Sequence, residues 1–156
     1  MAILVGAPAP DFTLRGWSDQ RVSEFTLSHQ LGRPVVLAFY PTDEGLVCTR
    51  QLCSYSDDLS ESGMRGASVW GISPQGIESH RSFAEGHELR MPLLADVSRD
   101  VARDYGILGP MGLRRSVFVV DANGRIAWRR VTALSMTFPT VAEVRTAVSA
   151  CTVKAA

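Results

Sequence analysis

Two of the three cysteines of this chain, Cys48 and Cys53, lie on one short segment. The segment follows a nearly unbroken apolar run at residues 34–40, which predicts a β-strand buried on both faces. Pro41 ends that strand, and from Val47 to about residue 62 the apolar residues recur at helical spacing. Cys48 therefore falls in the first turn of a helix, where unpaired N–H groups and the helix dipole stabilise an anion. Because a nucleophilic cysteine reacts as its thiolate anion, we interpret Cys48 as the reactive residue.

The spacing between Cys48 and Cys53 limits what this pair can do. In an unbroken helix, residues five apart are separated by about 7.5 Å along the axis and face about 140° apart. A disulfide requires Cα atoms within about 7 Å of each other, so these cysteines could bridge only if the helix unwound. Three interpretations stay open: the pair is incidental, the two side chains simply pack in a helix, or the helix opens during a redox cycle.

Metal binding is a weaker interpretation of the same cysteines. A Cys-x4-Cys pair has no second pair of ligands nearby, and His80 and His87 lie on a separate segment. We therefore expect neither a metal nor a cofactor. His29, His80 and His87 are scattered and flanked by polar residues, which predicts surface positions for all three.

The segment from Phe39 to Cys53 is similar to a known pattern, Phe-Tyr-Pro-x-Asp-x-Thr-Pro-Gly-Cys-Thr-x-x-x-Cys. The pattern belongs to the peroxiredoxins, and most closely to their bacterioferritin-comigratory or peroxiredoxin Q subgroup. The positions that match it without a gap are Phe39, Tyr40, Pro41, Asp43, Cys48, Thr49 and Cys53. The opening from Gly6 to Leu14 also resembles that of the family, and Arg115 begins a stretch similar to its Arg-Ser/Thr-x-Phe-x-Ile/Val-Asp pattern.

The resemblance implies a thiol-dependent peroxidase that reduces hydrogen peroxide and organic hydroperoxides. Cys48 would be the peroxidatic cysteine, and Cys53 the resolving cysteine that forms an intramolecular disulfide with it, as in atypical 2-Cys members. Arg115 would reach the thiolate and the peroxide, and Pro41 would shield the site. The implied partners are the peroxide and thioredoxin or a similar dithiol reductant.

Two positions depart from the family pattern. Gly45 stands where the family has a catalytic Thr or Ser, and Gln51 stands where a Glu is usual. These departures favour, as alternatives, a slow or degenerate redox sensor or binding module with the same fold. A thioredoxin-like disulfide reductase is a further alternative, although that chemistry uses Cys-x-x-Cys, whose closer spacing keeps both sulfurs within reach.

Composition bounds the remaining possibilities. The chain has 156 residues, of which 46% are apolar, and this fits one globular domain spanning 1–156. Sixteen basic and sixteen acidic residues cancel, which argues against a nucleic-acid partner. The N-terminus lacks the features of a signal peptide and no apolar run approaches a membrane span. We therefore expect a cytoplasmic protein without a membrane partner, either a monomer or a homodimer.

Strand and helix patterns alternate along the chain and predict an α/β fold with helices on both faces of a sheet. The resemblance specifies this as a thioredoxin-like fold with a central mixed β-sheet. The clearest hairpin joins residues 116–121 to 125–131 through an Asn-Gly turn. Residues 139–150 predict a closing amphipathic helix, capped by Thr140, and we expect Cys151 in an exposed tail after it.

Overall fold

A central β-sheet dominates the computed structural model, which describes residues 2–58, 67–110, 112–132 and 137–155. Within these ranges the strands are β1 (Thr13–Ser18), β2 (Arg21–Thr26), β3 (Val35–Phe39), β4 (Ser68–Ser73), β5 (Leu93–Ala95), β6 (Leu108–Gly109), β7 (Gly112–Leu113), β8 (Ser116–Val120) and β9 (Ile126–Val131). The helices are α1 (Leu46–Asp58), α2 (Ile77–His87), α3 (Asp100–Asp104) and α4 (Val141–Ala155).

Among the described residues, seven strands form one mixed sheet in the order β2-β1-β5-β4-β3-β8-β9. Strand β3 lies near its centre, parallel to β4 and antiparallel to β8. Strands β6 and β7 form a separate two-stranded ribbon. The prediction of a mixed sheet is thereby confirmed.

Strand β3 is buried along its whole length, as its apolar run predicts. Val36 and Ala38 belong to one core, which also contains side chains of α1, α2 and α4. Leu37 and Phe39 belong to a second core on the opposite face, which includes side chains of α3 and of the N-terminal segment. Helices therefore cover both faces of the sheet. The segment that contains Cys48 follows the end of β3.

The hairpin formed by β8 and β9 matches its prediction, with the two strands paired antiparallel. Gly124 of the Asn-Gly dipeptide has a φ of 79°, a left-handed conformation that glycine adopts cheaply. The carboxylate of Asp121 closes the turn by accepting hydrogen bonds from the backbone N–H groups of Asn123 and Arg125. This hairpin fixes β8, and therefore the position of the residue just before it, Arg115.

Helix α1 begins at Leu46, one residue earlier than its pattern predicts, and it is described as far as Asp58. The predicted end of this helix, near residue 62, lies outside the described residues. Cys48 is the third residue of α1, so its prediction as a first-turn residue is confirmed. No helix in the described part of the chain is long and apolar enough to cross a membrane.

Helix α4 begins with the predicted cap. The N–H of Glu143 donates to Oγ1 of Thr140 at 3.2 Å, and the N–H of Thr140 donates to Oε1 of Glu143 at 3.1 Å. This reciprocal pair is a capping box. The Thr140 N–H, and after it the hydrogen bond from Arg130, lower the pKa of Glu143.

The prediction that Cys151 lies in an exposed tail is wrong. Helix α4 continues through this residue to Ala155, and Cys151 is 6% exposed. Its thiol points back to the carbonyl of Ala147, with sulfur and oxygen 3.4 Å apart. Burial of Val144, Ala147 and Val148 on the same helix extends the apolar face by one more turn, to Cys151.

Candidate active site

Cys48 lies where the loop at residues 40–45, which leaves the central strand, turns into α1. The first turn of α1 is closed by a hydrogen bond of 2.8 Å from the N–H of Thr49 to the carbonyl of Gly45. The Cys48 side chain faces the protein interior and is 2% exposed. Cys48 therefore belongs to the first turn of a helix, whose dipole favours negative charge. It is also largely removed from bulk water, which strengthens its interaction with nearby charges.

Arg115 supplies such a charge. It directly precedes β8, whose pairing with β3 places Ser116 opposite Phe39 and so brings Arg115 to the end of β3 that leads to Cys48. Its side chain is 2% exposed, and its Nη2 donates to Sγ of Cys48 at 3.0 Å. The carbonyl of Arg115 accepts hydrogen bonds from the backbone and side chain of Thr132, which fixes the base of the side chain.

Gln51 orients the same guanidinium. Its Oε1 accepts a hydrogen bond of 2.5 Å from Nη1 of Arg115, and the Gln51 side chain is fully buried. An amide oxygen accepts this bond without carrying a charge, whereas a glutamate would partly neutralise the arginine. Gln51 therefore replaces the usual Glu as an acceptor and leaves the full positive charge of Arg115 beside Cys48.

Gly45 leaves a gap next to the sulfur. A Cβ atom built at this residue would lie 3.6 Å from Sγ of Cys48 and 3.0 Å from the methyl Cγ2 of Thr42. The hydroxyl of Thr42 instead lies 3.1 Å from the carbonyl oxygen of Asp43 and 3.3 Å from Oε1 of Gln75, and its single proton is shared between these two acceptors. Thr42 thus presents its methyl group to the gap, and its hydroxyl is engaged elsewhere.

Beneath the loop lies a buried polar cluster around Asp43. Its carboxylate accepts hydrogen bonds of 2.7 Å from the hydroxyls of Tyr40 and Ser79, and Nδ1 of His80 lies 2.7 Å from Oδ2. Nε2 of His80 faces the carbonyl of Leu94 at 2.9 Å. His80 is therefore buried between two acceptor oxygens, and its ring links the Asp43 carboxylate to the backbone of β5.

The prediction of a surface position for His80 is therefore wrong. Its partner Asp43 lies 37 residues earlier in the chain, so no local pattern in the sequence could reveal the pair. Burial raises the pKa of Tyr40 well above its usual range, and the Asp43 carboxylate raises it further. Tyr40 consequently keeps its proton and remains a donor to Asp43.

A second ion pair connects the loop to α2 at the surface. Nε2 of His87 lies 2.8 Å from Oε1 of Glu44, with side-chain exposures of 31% and 59%. The backbone of Glu44 has a φ of 62°, in the left-handed region that is uncommon for residues other than glycine. Asp43 and Glu44 are thus both held by histidines of one helix.

The remaining predicted site residues lie nearby. Pro41 is half-buried and is the first loop residue after Tyr40, and Cys53 is half-buried on α1, five residues after Cys48. The structure thus brings Cys48 and Arg115 into contact and places both cysteines on one helix. Within the described ranges, no group of three or more His, Cys, Asp and Glu side chains is arranged to hold a metal ion.

Known proteins resemble this chain in fold and in sequence. Its structure matches the Mycobacterium bovis AhpC with a TM-score of 0.86 at 23% identity, over 99% of this chain and 95% of that one, which confirms the thioredoxin-like fold. The chain is 38% identical over 124 residues to a chloroplastic peroxiredoxin Q of Sedum lineare, covering 76% of this chain and 64% of the relative. It therefore spans less than two thirds of that relative's length.

A Coxiella burnetii protein with the name "Putative peroxiredoxin bcp" is 33% identical over 141 residues, covering 84% of this chain and 91% of that protein. The model of the AhpC/TSA family matches residues 5–129. These matches confirm the resemblance drawn from the segment around Cys48. The chain therefore belongs to the AhpC/TSA family, and its relatives in sequence carry the name peroxiredoxin.

Proposed function

We propose that this protein is a thiol-dependent peroxidase that reduces hydrogen peroxide and organic hydroperoxides, with Cys48 as the peroxidatic residue. The observation that carries the proposal is the distance of 3.0 Å from Nη2 of Arg115 to Sγ of Cys48, in a buried site at a helix start. A guanidinium paired with a thiol in this way stabilises negative charge on sulfur. Membership of the AhpC/TSA family supports the same chemistry.

In the first step, the Cys48 thiolate attacks one peroxide oxygen and the O–O bond breaks. The sulfur becomes a sulfenic acid, and the second oxygen leaves with a proton as water or an alcohol. Negative charge moves from sulfur to the leaving oxygen during this step. Arg115, whose guanidinium is held by Gln51, stabilises that charge without needing to reorient, as preorganised donors do in acyl and phosphoryl transfer.

In the second step, the Cys53 thiol condenses with the sulfenic acid, releasing water and forming a disulfide. Both cysteines belong to α1, whose geometry keeps residues five apart too far from each other for a disulfide. The first turns of α1 therefore unwind for this step. Thioredoxin or a similar dithiol then reduces the disulfide by exchange and restores both thiols.

Gly45 favours one alternative, a redox sensor that is oxidised once and turns over slowly. The missing hydroxyl would have hydrogen-bonded both the thiolate and the peroxide oxygen, and no other hydroxyl replaces it at the gap in the described structure. A sensor and a peroxidase share the first step. They differ in whether a dithiol returns Cys48 to its reduced form rapidly enough to sustain turnover.

The test measures peroxide consumption with a dithiol donor, together with protein mass after one equivalent of peroxide. We expect Cys48→Ser to abolish consumption. Cys53→Ser should react once with peroxide and accumulate a sulfenic acid on Cys48 before that residue over-oxidises. A reagent that traps sulfenic acids would reveal this product as a mass adduct. Cys151→Ser is the matched control and should turn over normally. Sulfenic acid trapped first on Cys53 would refute the assigned roles, and a single oxidation without turnover would favour the sensor.

A further inference from the structure

Two successive loop residues are tied to two histidines on one helix. Asp43 pairs with His80 at 2.7 Å, and Glu44 pairs with His87 at 2.8 Å. His80 and His87 are separated by seven positions on α2, which is about two helical turns, so they lie on the same face of the helix. The face of α2 that bears the two histidines therefore contacts the loop before Cys48 at two successive residues.

These two contacts stabilise a backbone conformation of the loop that is unfavourable on its own. Glu44 has a φ of 62°, whereas L-residues with long side chains strongly prefer negative φ. Its neighbour Asp43 is anchored by the buried cluster, and its own carboxylate is anchored by His87. Strained residues persist when the surrounding contacts determine their conformation, and these two ion pairs are such contacts.

The position of Glu44 affects the start of α1 directly. Gly45, the next residue, supplies the carbonyl that closes the first helical turn through the N–H of Thr49, and Cys48 lies inside that turn. A change in the backbone at Glu44 would displace the Gly45 carbonyl. The turn that holds Cys48 beside Arg115 would then lose its first hydrogen bond.

We propose that His80 and His87 are positioning residues that hold the loop through Asp43 and Glu44 and thereby keep the first turn of α1 closed. This proposal rests on the proposed function of Cys48. The closed turn favours the reaction with peroxide, which needs Cys48 beside Arg115. It opposes the formation of the Cys48–Cys53 disulfide, which needs the same turn to unwind. The two histidines therefore set the balance between oxidation and resolution.

The partly exposed pair provides the test, and it can be broken from either side. His87→Gln removes the imidazole together with its edge contact to the buried Phe83, whereas Glu44→Gln leaves that contact in place. Stopped-flow measurements would follow oxidation of Cys48 and disulfide formation as separate phases. We expect the variant to react with peroxide about two- to fivefold more slowly and to form the disulfide faster by a similar factor, as suits the loss of one surface ion pair. The control is Glu85→Gln, which breaks an exposed pair with Arg81 within α2 that does not involve the loop. It should change neither rate.

A double-mutant cycle separates positioning from general damage. Glu44→Gln should reproduce the effect of His87→Gln, and the double variant should show no further change, because both substitutions remove one interaction. If the changes in rate of the two single variants add in the double variant, then each substitution acts independently. The proposal is overturned if the two rates of the His87 variant do not move in opposite directions, or if the substitutions prove additive.

Amide hydrogen exchange at residues 46–50 of the reduced proteins gives a readout that does not depend on peroxide. His87→Gln should exchange faster there than the parent, while Glu85→Gln should not. This measurement tests the positioning role of His87 even if Cys48 proves unreactive toward peroxide. Faster exchange in a protein that does not react with peroxide would contradict the proposed function but support the positioning role. Unchanged exchange in the His87 variant would contradict the positioning role alone.

Discussion

At Cys48, the first turn of α1 and the guanidinium of Arg115 act on the same sulfur atom. The helix start offers partial charge from backbone N–H groups, an effect worth about 0.3–1 kcal/mol at an exposed site and up to about 2 kcal/mol when partly buried. Arg115 adds a full charge and a hydrogen bond of 3.0 Å inside the protein, where screening is weak. The arginine is therefore the larger contribution, and Gln51 preserves it by holding the guanidinium with a neutral oxygen.

We predict that Gly45→Thr accelerates the oxidation of Cys48. Gly45 does not have a left-handed φ, and a Cβ there would lie 3.6 Å from Sγ of Cys48, close enough for its hydroxyl to reach the sulfur. The methyl group of Thr42, 3.0 Å from that Cβ, must move by a few tenths of an ångström. The rise in the second-order rate of peroxide reaction should not exceed about a hundredfold, the typical contribution of one preorganised donor.

Gly45→Ala is the matched control for this prediction, because it adds the Cβ atom without the hydroxyl. It should leave the rate unchanged or lower it slightly through the contact with Thr42. Stopped-flow oxidation of all three proteins makes the comparison. If Gly45→Thr folds normally and reacts no faster than Gly45→Ala, then the site has replaced the family's hydroxyl by other means.

Individual site residues differed in how far sequence could identify them. Cys48 follows from local pattern, since a buried strand, a proline and a helix start all lie within a few residues of it. Arg115 is 67 residues away and could be proposed only through the family resemblance, because no spacing links it to Cys48. Gln51 was recognised as a departure, but its retained hydrogen bond to Arg115 depends on tertiary structure that the sequence does not display.

At the scale of elements, α1 has two requirements that conflict. Its first turn must be formed to place Cys48 beside Arg115, and it must open for Cys48 to meet Cys53. Leu52 and Tyr55 are fully buried on the same helix and anchor its later turns in the core. Opening is therefore expected to concentrate at the N-terminal end of α1, ahead of these anchors.

We predict that oxidation raises hydrogen exchange in the first half of α1. The disulfide cannot coexist with the intact helix, so amides between residues 46 and 53 should lose protection, while those of the buried strand β3 should not. Mass-resolved exchange of the reduced and the disulfide forms makes the measurement. Cys53→Ser treated in the same way is the control and should keep its protection. Unchanged protection in a protein with a proven Cys48–Cys53 bond would contradict this account.

Helix and strand positions were predictable to the extent that their periodicity is local. The strands β3, β8 and β9 carry strong apolar patterns and lie where those patterns predict. The sequence predicts that the C-terminal helix ends before Cys151 and that this residue belongs to a frayed tail. In the structure the face continues through Val148 to Cys151, since tertiary packing against the sheet extends the helix.

At the scale of the whole molecule, the Asp43–His80 pair joins parts of the chain that are distant in sequence. Asp43 lies in the loop before Cys48 and His80 lies on α2, and Nε2 of His80 reaches the carbonyl of Leu94 on β5. Tyr40, at the end of β3, donates to the same carboxylate. The cluster therefore ties the candidate active site to both the sheet and α2. The sequence does not reveal this network, because Asp43 and His80 are 37 residues apart and each is flanked by polar residues.

The buried pair and the exposed pair on α2 should contribute very differently to global stability. Glu44 and His87 are partly exposed, and such pairs contribute about 0–1 kcal/mol. Asp43 and His80 have side-chain exposures of 1% and 0%, and removing one partner of a buried pair typically costs about 3–5 kcal/mol. The first pair can therefore adjust the loop with little effect on folding, whereas loss of the second should lower the free energy of unfolding by several times as much.

We predict that His80→Ala lowers the free energy of unfolding by about 3 kcal/mol or more, because it leaves the Asp43 carboxylate and the Leu94 carbonyl buried without the ring that lies between them. In a domain of this size, that loss corresponds to a fall in Tm of roughly 6–12 °C. Ser79→Ala removes only a neutral donor from the same carboxylate. It should cost about 1 kcal/mol, or roughly 2–4 °C. Chemical and thermal denaturation of the reduced proteins provide both quantities. If His80→Ala were no more destabilising than Ser79→Ala, the ion pair would not be what joins the loop to α2, and the remaining hydrogen bonds to Asp43 would have to carry that role.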